Sequence, residues 1–288
     1  MERYYTNPVN TISPEDFEPL LTIGLSEDCP TIDITSESIF SNQIQAKANL
    51  VTREDGIFCG SQVLSLIQTK FPNEFFFEIL KQEGSEMKSA ETLVKLEGKL
   101  NTLLRVERIL LNLLQYLSGI ATNVHQLVKQ YPNLLILDTR KTLPGYRKLV
   151  KYAVYTGGGA NHRLNLSDMG LIKDNHVTRA GSITLAVNSI REKFPDKKIE
   201  LEIDGLHQLE EAIRSNPDII LLDNFSIEDT KTAVEAIRAK SSIRIECSGG
   251  ITPEKLSSLS TLGDIGVSMG YLTHTTRFLD LSLELEEL

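Results

Sequence analysis

The spacing of apolar positions changes along the chain and predicts two kinds of architecture. From residue 133 onward, short apolar runs with strand character alternate with helix-like stretches. The runs are NLLILD (133–138), MGLIKD (169–174), IELEID (199–204), DIILLD (218–223), IRIECS (243–248) and DIGVSM (264–269). Between them, ITLAVNSIREKF, LHQLEEAIRS, IEDTKTAVEAIRAK and PEKLSSLSTL read as helices. Successive strands begin ~20–35 residues apart, the spacing of βαβ units on a parallel sheet.

Before residue 118 the signals are mixed. Ser13-Pro14-Glu15 reads as a helix start. Gln43 to Val51 and Gly56 to Cys59 read as short strands with a Glu54-Asp55-Gly56 turn between them. LLRVERILLNLLQYLSGIA (103–121) has helical spacing and places Arg105 and Arg108 three apart. There is no internal repeat or low-complexity linker.

All six later strands pass from apolar to polar or glycine at their C-terminal ends. Asp138-Thr139-Arg140-Lys141 follows the first and Lys173-Asp174-Asn175-His176 the second. Glu202 with Asp204, Asp223-Asn224, Cys247-Ser248-Gly249-Gly250 and Ser268-Met269-Gly270 complete the set. Ligands bind at that edge in α/β barrels and open α/β sheets, so the series predicts one shared site. A full eight-stranded barrel takes ~250 residues. Only about 155 lie between position 118 and the tail that begins at 275, so a smaller or atypical barrel is expected, with a doubly wound sheet as the alternative.

Composition narrows the class. The 288 residues are 41 % apolar and 24 % charged, which suits a globular chain with its own core and excludes disorder. Net charge is −9, which disfavours nucleic acid, because a repelling surface gains nothing from counterion release. Cys29, Cys59 and Cys247 are scattered and form no C-x-x-C pair, as expected of reduced thiols. MERYYTNPVN lacks the apolar core of a signal peptide, and no apolar run approaches the ~20 residues of a membrane span. The expectation is a soluble cytoplasmic protein that uses no membrane.

Local charge contradicts the total. Between Asp138 and Arg179 stand eight basic and three acidic residues, an excess of +5, so the remainder carries −14. Arg140, Lys141 and Lys173 sit at strand ends and would converge on one cavity for carboxylate or phosphate. Lys148, Lys151 and Arg179 read instead as a solvated helix face. Gly157-Gly158-Gly159 runs up to His162-Arg163, where exposed amides could meet an anion or simply form a loop. Ser248-Gly249-Gly250-Ile251-Thr252-Pro253 puts two glycines before a helix N-cap, the geometry of a phosphate site or of an ordinary capped turn. Glu202 and Asp223 end adjacent strands and suit either a Mg²⁺ that keeps several waters or ion pairs with Lys173 or Arg140. The histidines, His125, His162, His176, His207 and His274, form no metal-spaced motif, and no zinc site is expected.

Residues 138–176, DTRKTLPGYRKLVKYAVYTGGGANHRLNLSDMGLIKDNH, resemble the signature of the quinolinate phosphoribosyltransferase family. The likeness continues through ERILLNLLQYLSGIAT, LEID, ILLDN, ECSGGIT and MGYLTH, with weaker echoes in DIT and REDGIFCG. It implies an N-terminal α/β sandwich (1–117) and an atypical, incomplete α/β barrel carrying the site (118–274). A helix-like tail (275–288) would return to the first domain. The implied reaction joins quinolinate to 5-phosphoribosyl-1-pyrophosphate (PRPP) with Mg²⁺, giving nicotinate mononucleotide, CO₂ and pyrophosphate. A homodimer or higher homo-oligomer is implied, with Arg108 reaching the partner's site.

By the same resemblance, Arg140, His162, Arg163 and Arg108 would hold the quinolinate carboxylates, and Thr139 would belong to the substrate-binding set. Lys141 and Lys173 would lie between the substrates, and Glu202 and Asp223 would position ribose hydroxyls and Mg²⁺. Ser248, Gly249, Gly250, Gly270 and Tyr271 would cradle the 5-phosphate. Asn165 stands where many members have glycine. Three other readings compete: a related family associated with molybdenum transport, a barrel aldolase with Lys173 as Schiff-base nucleophile, and a non-catalytic anion-binding barrel.

Overall fold

The computed structural model describes residues 6–41 and 43–287. Residues 1–5 of the N-terminal stretch and Leu288 of the tail lie outside them. The order begins α1 (Pro14–Asp28), α2 (Ile34–Ile39), β1 (Gln45–Thr52), β2 (Gly56–Ile57), α3 (Gln62–Lys70), β3 (Phe75–Ile79), β4 (Glu86–Met87) and β5 (Thr92–Lys99). It continues with α4 (Leu100–Gln130), β6 (Leu134–Leu137), α5 (Arg147–Thr156), β7 (Gly170–Ile172), α6 (Asp174–Ala180), α7 (Ile183–Lys193) and β8 (Ile199–Ile203). Then follow α8 (Leu209–Ser215), β9 (Ile219–Asp223), α9 (Ile227–Lys240), β10 (Arg244–Ser248), α10 (Pro253–Ser260), β11 (Ile265–Ser268), α11 (Tyr271–His274) and β12 (Leu281–Leu285).

Two compact units result. One comprises Leu127–Lys141 and Gly159–Gly270 with the residues before Val9; the other comprises Val9–Gln126, Thr142–Gly158 and Tyr271–Leu288.

The first unit is built on a six-stranded sheet in the order β6-β11-β10-β9-β8-β7, with every pairing parallel. Each strand falls in one of the six apolar runs. From β7 to β11 consecutive strands are neighbours, and β6 joins beyond β11. This winding in one direction overturns the doubly wound alternative, whose strand order must reverse at a switch point. It is an incomplete barrel with β6 and β7 as its two edges. Ala160 bridges in parallel to Leu137, and its N–H donates to the Ile136 carbonyl at 2.8 Å, so residues beside Gly159 line the β6 edge.

Register decides which side chains meet. Glu202 pairs with Leu221, Leu221 with Glu246, Asp223 with Ser248, and Ser268 with Leu137. Paired residues face the same way and alternate along each strand. One face therefore collects Glu200, Glu202, Asp223, Glu246, Ser248 and Ser268. The other carries Leu201, Ile203, Ile220, Leu222, Ile245 and Val267, all buried. Helices α7, α9 and α10 start where expected, because Ser182, Ser226 and Thr252 accept the Leu185, Asp229 and Lys255 amides.

The second unit holds an antiparallel sheet in the order β12-β1-β5-β3. Ser13 and Asp16 form a capping box at α1, as its sequence predicts. The helix-like reading of the tail is overturned. Leu281, Leu283 and Leu285 alternate with Ser282 and Glu284, a period of two, and the segment pairs with β1 as Leu283 opposite Leu50. The boundary drawn at 117/118 falls inside α4, which runs unbroken for 31 residues. Gly119 is required within it. A Cβ there would lie 2.1 Å from the Arg277 carbonyl oxygen, so the returning tail crosses the helix at this glycine.

Lys151 is also corrected. It is fully buried in α5, whose residues from Leu149 to Val154 are all covered, whereas Arg179 is exposed as expected and Lys148 reaches Asp16 at 2.7 Å. Among the described residues, no helix is long and apolar enough to cross a membrane.

Candidate active site

The site is assembled at the C-terminal ends of the parallel strands. Lys173 follows β7 and caps the start of α6, and its Nζ stands 2.7 Å from Glu202 Oε2 on β8. The Asp223 carboxylate, at the end of β9, accepts from Asn224 Nδ2 at 2.7 Å. Of the two readings of these acids, the ion pair with lysine holds for Glu202. Their hard oxygen donors, side by side on neighbouring strands, also have the chemistry that Mg²⁺ needs.

The Ser248-Gly249-Gly250 turn is shaped for close approach. Gly249 has φ +79°, and a Cβ there would fall 2.2 Å from Asn224 Oδ1, so no other residue fits without displacing that side chain. Gly250 also has positive φ (+55°), with open space around it. Lys255 Nζ donates to the Gly249 carbonyl at 3.0 Å and braces the turn. Thr252 and Pro253 then start α10, leaving amides of the turn and first helical positions for an anion. Asn224 and Lys255 are missed by sequence reasoning. The left-handed backbone at Asn224 (φ +56°) is the signal that an Asp-Asn strand end could have offered.

The arginine side is held by a buried carboxylate. Asp138 is fully buried, and it accepts the His162 amide at 2.9 Å and Asn161 Nδ2 at 2.6 Å. This fixes the segment carrying His162 and Arg163. Arg163 Nη1 donates to the Met169 carbonyl at 3.3 Å, while the buried Nε atoms of Arg163 and Arg140 have no hydrogen-bond partner. Burial, and then the nearby Arg140, lower the Arg163 pKa. Two covered guanidinium nitrogens with unused donors, one on a buried arginine and one on a half-buried arginine, call for an anion. The glycine run before them has another purpose: a Cβ on Gly157 would meet the Ala121 carbonyl at 2.4 Å, so that residue serves packing against α4.

Other expected residues are placed less closely. Lys141 is exposed, and its amide donates to Thr139 Oγ1 at 3.1 Å. Gly270 follows β11, Tyr271 opens α11, and Arg108 is exposed on α4.

One layer deeper lie residues the strand-end argument passes over. Glu200 and Glu246 have no exposed surface, and His162 Nε2 stands 2.8 Å from Glu200 and 3.8 Å from Glu246. Burial, and then Glu200, push the Glu246 carboxyl up to about 8. Among the described residues these three form a cluster with metal-ligand proximity, which the absence of a sequential histidine motif conceals. A period-two reading from Glu202 and Ser248 would have found both acids.

Residues 120–284 match the family description "Quinolinate phosphoribosyl transferase, C-terminal domain", and residues 33–118 match its N-terminal domain. The chain belongs to this family. It is 37 % identical over 260 residues to the nicotinate-nucleotide pyrophosphorylase [carboxylating] of Mycobacterium leprae (strain TN), covering 88 % of this chain and 91 % of that one. It is 38 % identical over 268 residues to the probable enzyme of the same name in Bacillus subtilis (strain 168), covering 92 % of each. The nicotinate-nucleotide pyrophosphorylase structure from Francisella tularensis superposes with a TM-score of 0.91 at 35 % identity, covering 98 % of this chain and all of that one. NadC from Streptococcus pyogenes gives 0.90 at 37 %, covering 96 % and 99 %. The two family domains meet beside residue 118, where the sequence changes character, although the compact units exchange segments across that point. Lys173, close to Glu202 and 46 % exposed, lacks the apolar pocket that activates a Schiff-base lysine.

Proposed function

We propose that the protein transfers the phosphoribosyl group of PRPP to quinolinate with decarboxylation, releasing nicotinate mononucleotide, CO₂ and pyrophosphate for NAD biosynthesis. The observation that carries this reading is the arginine pair, Arg163 buried and Arg140 half-buried, each with a covered Nε that has no hydrogen-bond partner. At the end of β10 in the same sheet stands a glycine turn suited to a phosphate. A dicarboxylate and a phosphorylated sugar satisfy both. The names carried by the family's members favour quinolinate over the substrate of the molybdenum-transport relatives.

In this reading Arg140, Arg163, His162 and Thr139 hold and orient quinolinate. Its ring nitrogen attacks the ribose carbon as the bond to pyrophosphate breaks, through an oxocarbenium-like state. Lys141 and Lys173 stabilise charge on the carboxylates and the departing pyrophosphate. Ser248, Gly249, Gly250, Gly270 and Tyr271 cradle the 5-phosphate through backbone amides. Glu202 and Asp223 position the ribose hydroxyls and would hold Mg²⁺, which when bound neutralises pyrophosphate charge. The adduct's pyridinium ring then accepts the electrons left by departing CO₂, and the ring carbon takes up a proton. Orientation and electrostatics do most of the protein's work.

The test is an assay with Mg²⁺, PRPP and either quinolinate or nicotinate. Quinolinate should be consumed with equimolar pyrophosphate and CO₂, and addition of EDTA should abolish turnover. Turnover of nicotinate with none of quinolinate overturns the reading. A homodimer sharing its sites through Arg108 is part of the same proposal. Arg108→Ala and Arg140→Ala chains, each inactive alone, should regain activity when mixed. Confirmed mixed dimers without activity would remove Arg108 from the site.

A further inference from the structure

We infer that Glu200 and Glu246 are positioning residues for quinolinate, acting from beneath the pocket through the ring of His162 on the backbone of Arg163. The inference rests on the proposed reaction and adds two residues that never touch the substrate.

The chain of contacts is continuous. His162 Nδ1 accepts the Arg163 amide at 2.9 Å, so the ring carries its proton on Nε2, which faces Glu200 at 2.8 Å. One buried acid thereby selects the tautomer that can receive the Arg163 N–H. Asp138 holds the His162 backbone from the other side at 2.9 Å, so ring and main chain are both clamped. The Arg163 guanidinium then projects from a fixed backbone, with Nη1 on the Met169 carbonyl at 3.3 Å and Nε unused.

Glu246 completes the arrangement. It pairs in register with Leu221 on β9 and Gly266 on β11, and Gly266 has no side chain to cover it. The groups facing it are Glu200 from β8, His162 from the segment after Ala160 and Ser268 from β11. Both carboxyls lie in one dry space, where an unpartnered polar group is costly and a nearby donor is needed. None of the four carboxylate oxygens has a hydrogen-bond partner in this geometry, so the His162 Nε2, 2.8 Å from Glu200 and 3.8 Å from Glu246, is the donor placed to reach them. Replacing either acid by an apolar residue of similar size should therefore free the imidazole without emptying the core.

The experiment joins kinetics to nitrogen NMR on the intact enzyme. In the wild type, ¹⁵N-labelled histidine should show His162 with Nε2 protonated and Nδ1 bare at neutral pH. Glu200→Leu should raise the quinolinate KM about tenfold or more, the worth of a misplaced charge-assisted hydrogen bond. The PRPP KM should change less than about threefold, since the phosphate turn is built on other strands. Thermal stability should fall, because the buried His162 N–H loses its partner, and the Glu200→Gln variant should recover part of that loss. Glu200→Gln, whose amide oxygen still accepts the Nε2 proton, should restore the quinolinate KM to within about threefold of wild type. An Nδ1-protonated tautomer in the wild type overturns the inference and is readable even if Glu200→Leu fails to fold. So does an unchanged quinolinate KM in folded Glu200→Leu and Glu246→Leu chains. Stoichiometric metal in the purified protein that is lost in Glu246→Gln would also overturn it, by assigning the cluster to an ion. Absence of wild-type turnover would instead refute the proposed reaction.

Discussion

Glu202 and Glu200 stand two residues apart on one strand and face the same way, yet their surroundings differ in almost every physical respect. Glu202 lies at the strand end, with 18 % of its side chain exposed and Lys173 at 2.7 Å. Glu200 lies one repeat deeper, fully covered, with His162 and a second carboxyl as its company. At the edge a lysine and water share the field of the carboxylate. Below it, desolvation makes charge expensive and drives the Glu246 carboxyl upward. The same residue type thus meets lysine and solvent in one layer and only buried partners in the next, and depth along the strand sets the difference.

If this contrast holds, substitutions in the outer layer should lower activity and spare the fold. Lys173→Ala should reduce kcat about 10²–10³-fold, the usual loss for one preorganised charge stabiliser, with a melting temperature close to wild type. Equal losses of activity and stability would erase the distinction between the layers.

Gly249→Ala belongs to the outer layer but meets the backbone. Its φ of +79° and the Asn224 oxygen at 2.2 Å from the new Cβ both oppose it. The expected loss is about 1–3 kcal/mol of stability, with a raised PRPP KM and a nearly unchanged quinolinate KM. A quinolinate defect would mean that the turn is not the phosphate cradle.

The smallest effect concerns the inner layer and is read against pH. The folded Glu246 carboxyl titrates near 8, above its ordinary 4.5, so the folded state holds a proton that the unfolded chain releases. Its contribution is fully present below about 4.5 and is lost as pH rises through about 8. Glu246→Gln cannot lose that proton. The melting temperature of the variant minus that of wild type should therefore grow between pH 5 and pH 8.5, by about a few degrees. A flat difference would place Glu246 in a wetter environment than its burial indicates.

Much of this protein was legible from its residues alone. The six strands, the capped helix starts at Ser13, Ser182, Ser226 and Thr252, and the polar strand ends that mark the site follow from local periodicity and hydrogen-bonding chemistry, which act over a few residues. The same local pattern placed Arg140, Lys173, Glu202 and Asp223 at those strand ends, where the structure has them. Tertiary structure alone decided what depends on partners distant in sequence. The tail became a strand because β1 had a free edge, and Lys151 was buried because α5 is covered almost all round. Glu200, Glu246 and His162 come from two strands and a bridging segment, and only parallel register brings them within hydrogen-bonding reach. Charge and hydropathy mark a strand end in one dimension. How deep a residue lies, and which other acid shares its space, is a property of the closed sheet.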